Sequence, residues 1–202
     1  MTKTTHLEII EKLDRNQEKI INNLDQESID VYLWLKNEYE KRGVTSNTVF
    51  QFVFRSYYSL DGAGLGEKLK SRYFELLAQE EKDLNVILKE LSKIPTQLHP
   101  HTVQFSFATK LIHMIDNSKP IYDKWVAAII HKTVTGKNAE EKIESAKGIF
   151  NYLEELYGNL LGDEKTKKVI EEFRKQFKVD NRKIADQKIL DFLIWSLGRL
   201  GL

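Results

Sequence analysis

Polar groups with chemical potential converge most densely between Ser106 and Val126, where an apolar helical pattern runs into Asp116-Asn117-Ser118-Lys119 and resumes at Pro120. Pro120 tolerates a helix start, because its missing amide donor is not needed there. The spacing therefore puts Asp123 in a first turn, where the positive end of the helix dipole favours its carboxylate. A capping role explains that position and charge. It does not explain why so many polar groups meet there. Tyr122 and Trp125 flank Asp123 and are the aromatics best placed for use beyond packing, since bases stack on such rings.

Other constellations are less specific. Gly62-Ala63-Gly64-Leu65-Gly66-Glu67-Lys68 has glycines ahead of a helix, an arrangement that lets backbone amides approach a phosphate. Its spacing is not G-x-x-x-x-G-K and no strand precedes it, so an interhelix turn is the better reading. His99, His101 and His113 with Asp116 match no metal-ligand spacing such as H-E-x-x-H, and no metal or other cofactor is called for. Residues 163–188 carry nine Lys or Arg against six acids, and residues 119–137 four Lys against Asp123. Facing one groove they would bind phosphates; interleaved with acids they equally suit a solvated surface. A hydrolase built on Asp123 and His113 lacks a nucleophile.

The elements that must position these groups are helical. Only 3 Pro and 10 Gly interrupt apolar residues recurring at three and four spacing, which predicts an all-α protein of about nine or ten helices. The expected helices are 5–24, 28–42, 48–58, 67–82, 83–93, 101–117, 120–130, 138–161, 163–177 and 181–197, the one after Asn47 apolar around most of its girth and hence central. Pro95 and Pro100 bracket a break, which divides the chain into an N-terminal lobe, 1–94, and a C-terminal lobe, 95–202. In the last helix Asp191 sits among apolar residues, where it is available to face Lys110 or Arg55.

Composition narrows the class. Of 202 residues, 41% are hydrophobic and 30% charged, enough for a core, while 31 Lys and Arg against 30 Asp and Glu leave a formal charge of +1. Zero Cys excludes a disulfide scaffold, thiolate zinc and a cysteine nucleophile. With no apolar stretch of membrane-spanning length, the expectation is a cytoplasmic protein without a membrane partner.

Ser106 to Val126 resembles the region of helix-hairpin-helix DNA glycosylases that ends in a Pro-x-x-Asp-x-x-Val-like element, here Pro120-Ile121-Tyr122-Asp123-Lys124-Trp125-Val126. The resemblance implies a DNA partner and a flipped-out base. Asp123 would then be the acid that steadies positive charge on a deoxyribose or orients water, with Lys110 as a cleft cation and Tyr122 or Trp125 as a stacking surface. Lys124, Arg55 and His113 complete the set of candidate binding residues. The family's Gly-x-Gly hairpin is not visible in residues 98–105, and its nucleophilic lysine position falls on Ala108, so the resemblance implies a DNA-binding protein with reduced catalysis. Phe107 to His113, Pro120 to Asp123 and Leu190 to Trp195 are also similar to a group of bacterial all-helical proteins without assigned activity. The alternative expectation is a non-enzymatic helical interaction module.

Overall fold

The computed structural model describes residues 6–96 and 102–202, and Thr5, Leu98, His99, Pro100 and His101, which entered the readings above, lie outside them. Among the described residues the protein is all-α, with eleven α-helices, one 3-10 turn and no strand. In chain order the helices are α1 (His6–Arg15), α2 (Gln17–Asn22), α3 (Gln26–Glu40), α4 (Thr48–Tyr57), α5 (Glu67–Ala78), α6 (Leu84–Ser92), α7 (Phe105–Ile115), α8 (Lys124–Ile130), α9 (Ala139–Gly162), α10 (Glu164–Phe177) and α11 (Asp186–Arg199). None of them is long and apolar enough to cross a membrane.

Short polar side chains set many of the starts. Asn47, Asp83, Asp123 and Asp163 each accept the backbone amide three residues on, and the three aspartates also take the amide two residues on. These bonds satisfy donors that the first helical turn leaves open. Two expected boundaries are corrected by the same chemistry. The continuous helix expected through Leu24 is divided at Asn16, where the side-chain amide donates to the Lys12 carbonyl at 2.9 Å alongside the backbone amide. The next helix begins before Ser28, because Asp25 Oδ1 accepts the Ser28 amide at 2.6 Å and so does the capping.

Contacts group the chain into two compact units, each discontinuous in sequence. One unit takes the chain up to Ile29, Asn117–Thr133 and Ile149–Leu202; the other takes Asp30–Asp116 and Val134–Gly148. In the first, α11 packs on α8, α2, α1 and α10. Ile9, Leu13, Ile20, Leu153, Phe173 and Leu193 form its core, all fully buried. In the second, α5, α6 and α7 pack together. Phe50, Phe54, Tyr73 and Phe74 make an aromatic cluster of edge-on and tilted pairs there, with ring centroids 5.6–6.3 Å apart in the contacting pairs. The expectation of a central α4 is corrected: Phe50 and Phe54 are buried, but Val49 and Phe52 are 60% and 62% exposed on its outer face.

Candidate functional site

Pro120 does not open α8. Residues 120–123 approach it in non-helical conformation, and Asp123, extended at φ −144° and ψ −174°, is the cap. Its Oδ1 accepts the amides of Trp125 and Val126 at 2.8 and 2.9 Å. The Asp123 side chain is half-buried, and Oδ2 takes no part in these bonds. Pro120, Ile121 and Tyr122 are buried, so the approach is held by its apolar side chains. Tyr122 is thereby committed to the interior, and its hydroxyl donates to the Lys132 carbonyl at 3.0 Å beyond the far end of α8. Burial, then the charge of Asp123, pushes the Tyr122 phenol above its ordinary value.

Behind this approach lies a polar group that the sequence reading had only in part. Asp191 of α11 is 5% exposed, and its Oδ1 accepts the Ile121 amide at 3.2 Å and the Tyr157 hydroxyl of α9 at 2.8 Å. Lys188, one turn earlier on the same helix and 3% exposed, adds a buried positive charge, with Nζ 4.4 Å from the Phe192 ring centroid. Burial pushes the Asp191 carboxyl up to about 6 against the opposing pull of Lys188, Tyr157 and the Ile121 amide, and Asp123 adds to the rise. Burial likewise brings Lys188 down to about 8, with Asp191 and Asp123 holding it up. Tyr157 is driven well above its usual value, first by burial and then by Asp191. Asp191 thus meets Tyr157, Ile121 and Lys188 within its own unit. A lone carboxylate inside Ile189-Leu190-Asp191-Phe192-Leu193-Ile194 was the available signal for a buried charge.

On the outer side of α8, Lys124 is exposed with Nζ 4.5 Å from the centroid of the half-buried Trp125 ring. The α8 backbone crosses α11 closely at Gly198, where an added Cβ would stand 2.5 Å from the Trp125 carbonyl oxygen. One turn before Gly198 is Trp195, also half-buried, with the Arg199 guanidinium 5.1 Å from its ring centroid. Two indoles, each paired with an exposed cation, therefore belong to neighbouring helices of one unit.

The remaining sequence-selected residues lie in the other unit. Lys110 Nζ donates to the Tyr58 carbonyl at 3.2 Å and sits 5.0 Å from the Phe107 ring centroid. His113 is fully buried on α7, its ring 6.1 Å from that of Tyr32. Arg55 Nε is held by Asp61 Oδ2 at 3.2 Å, while Asp61 Oδ1 takes Lys70 Nζ at 2.7 Å. The Lys70 bond is the main cause of a lowered Asp61 carboxyl. That carboxylate lies in the glycine-rich turn, where it engages both cations. Of the basic residues in 163–188, Arg174 and Lys188 are buried. Among the described residues no three His, Cys, Asp or Glu side chains are grouped to hold a metal ion. Comparison with known proteins finds no matching family model, curated protein or solved structure, so the geometry around α8 carries the functional reading alone.

Proposed function

We propose that this chain is a DNA-binding protein whose contact surface is the start of α8, the element that resembles the helix-hairpin-helix glycosylases. The observation that supports it is the pairing of Lys124 with Trp125 next to Asp123, with a second such pair, Trp195 with Arg199, on the helix that crosses α8 at Gly198. Cations at the rim contact phosphates and release counterions, while indole faces take unpaired bases. Asp123, bonded through Oδ1 to the amides of Trp125 and Val126, is the acid that would steady positive charge on a sugar.

The test is binding to duplexes with an abasic-site analogue or an intact site across a salt series, for wild type, Trp125→Ala, Lys124→Ala and Asp123→Asn. Asparagine caps as well as aspartate, so the last variant removes charge while keeping the helix start. Trp125→Ala is expected to weaken binding to the abasic duplex roughly 5- to 150-fold, the range for one stacked base. Lys124→Ala should lower the salt slope by about 1. Absence of binding to either duplex at low salt would overturn the proposal.

A second reading, a non-enzymatic protein-interaction module, is supported by the outer face of α4, where Val49 and Phe52 stand out of the surface. It expects self-association in sedimentation equilibrium that Phe52→Asp abolishes without loss of folding. A strictly monomeric wild type across the micromolar range would count against a second copy as the occupant.

A further inference from the structure

We propose that Asp191 is a positioning residue: with Tyr157 it latches the Ile121 amide and thereby fixes where the segment 117–123 delivers Asp123 to α8. The segment needs such a device. It has no helical hydrogen bonds of its own. Pro120 stiffens it and the Tyr122 side chain anchors its last turn, but neither binds the Ile121 amide, and the segment follows directly on α7 at Asp116. Ile121 is buried, so its amide must find an acceptor or lose the full value of the bond it made with water.

Asp191 Oδ1 supplies that acceptor at 3.2 Å and is itself oriented by the Tyr157 hydroxyl at 2.8 Å. Residues 70 and 34 positions away in sequence are thereby tied to one oxygen, and all three belong to the same compact unit. Lys188 on the preceding turn offsets the buried charge. The bound amide lies two residues before Asp123, too close along the chain for the cap to move independently of it. Lys119, paired with Glu154 of α9 at 2.6 Å, holds the other end of the same segment. The latch operates whether or not the partner of this surface is DNA.

Amide hydrogen exchange by NMR tests it, with Asp191→Ala, Asp191→Asn and Tyr157→Phe measured beside wild type and each variant's global stability taken from urea unfolding. In Asp191→Ala the amides of Ile121, Tyr122 and Asp123 should exchange about 10- to 100-fold faster than any change in global stability explains, the loss expected for a hydrogen bond to a charged acceptor. Asp191→Asn keeps an acceptor oxygen at the same place and should restore protection to within about 3-fold, a recovery that bulk packing alone would not produce. Tyr157→Phe removes one bond only; it keeps the experiment decisive if Asp191→Ala does not fold, and its expected acceleration at the same three amides is about 3- to 10-fold. Exchange at these amides that tracks global stability in every folded variant, or that is as fast in Asp191→Asn as in Asp191→Ala, overturns the latch.

Discussion

Gly198 sets the distance between α8 and α11, and alanine there should destabilise the protein although alanine is the better helix former. A Cβ on Gly198 would stand 2.5 Å from the Trp125 carbonyl oxygen, 2.9 Å from its carbonyl carbon and 3.0 Å from its Cβ. The first two are backbone atoms, which no rotamer change can move aside. Restoring ordinary contact requires α8 to retreat by about 1 Å from a close-packed neighbour. Overpacking of this kind costs about 1–3 kcal/mol, against a gain of ~1 kcal/mol from replacing a helical glycine. The net expectation is a loss of about 0–2 kcal/mol, where an unobstructed glycine would show a gain. Gly158 on α9 gives the internal control, because its added Cβ meets nothing within 4 Å. Gly158→Ala should therefore stabilise by roughly 0.5–1 kcal/mol. Urea unfolding of both variants reads the two signs directly. If Gly198→Ala is as stable as Gly158→Ala, the close crossing does not exist and the indole surface built on it falls with it.

Lys188→Met strands the Asp191 carboxylate in the interior and is expected to cost about 3–5 kcal/mol in urea unfolding, whereas the double replacement Lys188→Met with Asp191→Leu should cost less than the single change. The pH profile of stability has a definite sign. Asp191 rises from 3.8 to about 6 on folding, so its contribution favours the fold below pH 3.8 and is lost as pH climbs through 6. Wild-type stability relative to Asp191→Asn should therefore fall by up to ~3 kcal/mol between pH 4 and about 6.5, and a flat difference would refute a raised carboxyl. Lys188, lowered from 10.5 to about 8, acts in the opposite sense: its contribution is complete above pH 10.5 and is lost as pH falls through 8. The stability of Lys188→Met should thus gain on wild type as pH falls over that range. Phe52→Asp, at a side chain 62% exposed, should change stability by less than about 0.5 kcal/mol in thermal melts.

What the sequence made legible was local. The three and four spacing of apolar residues and the polar start at Asn47 locate helices, because those signals act within one turn. The break at Asn16 escaped because a side chain bonding its own turn leaves the hydrophobic stripe on either side intact. Pro120 misled for a related reason. Its fixed φ suits a first helical turn, yet it suits an extended approach equally well, and burial of Pro120-Ile121-Tyr122 selected the latter. At the candidate site Asp123, Lys124 and Trp125 could be named together since they are chain neighbours. Tyr157 and Lys188 could not be joined to Ile121 through Asp191, because no periodicity encodes which helix supplies a partner. Val49 and Phe52 show the converse failure, since an apolar residue in a helical pattern says nothing of whether a neighbour covers it.

The buried charges of α11 follow from the short length of α8. A helix that begins only at Lys124 leaves the preceding residues to cross the interior without a ladder of carbonyl partners. The Ile121 amide is then a buried donor, and an apolar residue at 191 would leave it unpaired at a cost of about 1–3 kcal/mol. A carboxylate removes that cost but brings desolvation of its own, which explains why its neighbours on the same and the adjacent helix are Lys188 and the Tyr157 hydroxyl. A hydrophobic pair at 188 and 191 would serve packing as well. It could not hold one particular amide, and so could not fix the register in which Asp123, Lys124 and Trp125 emerge at the surface.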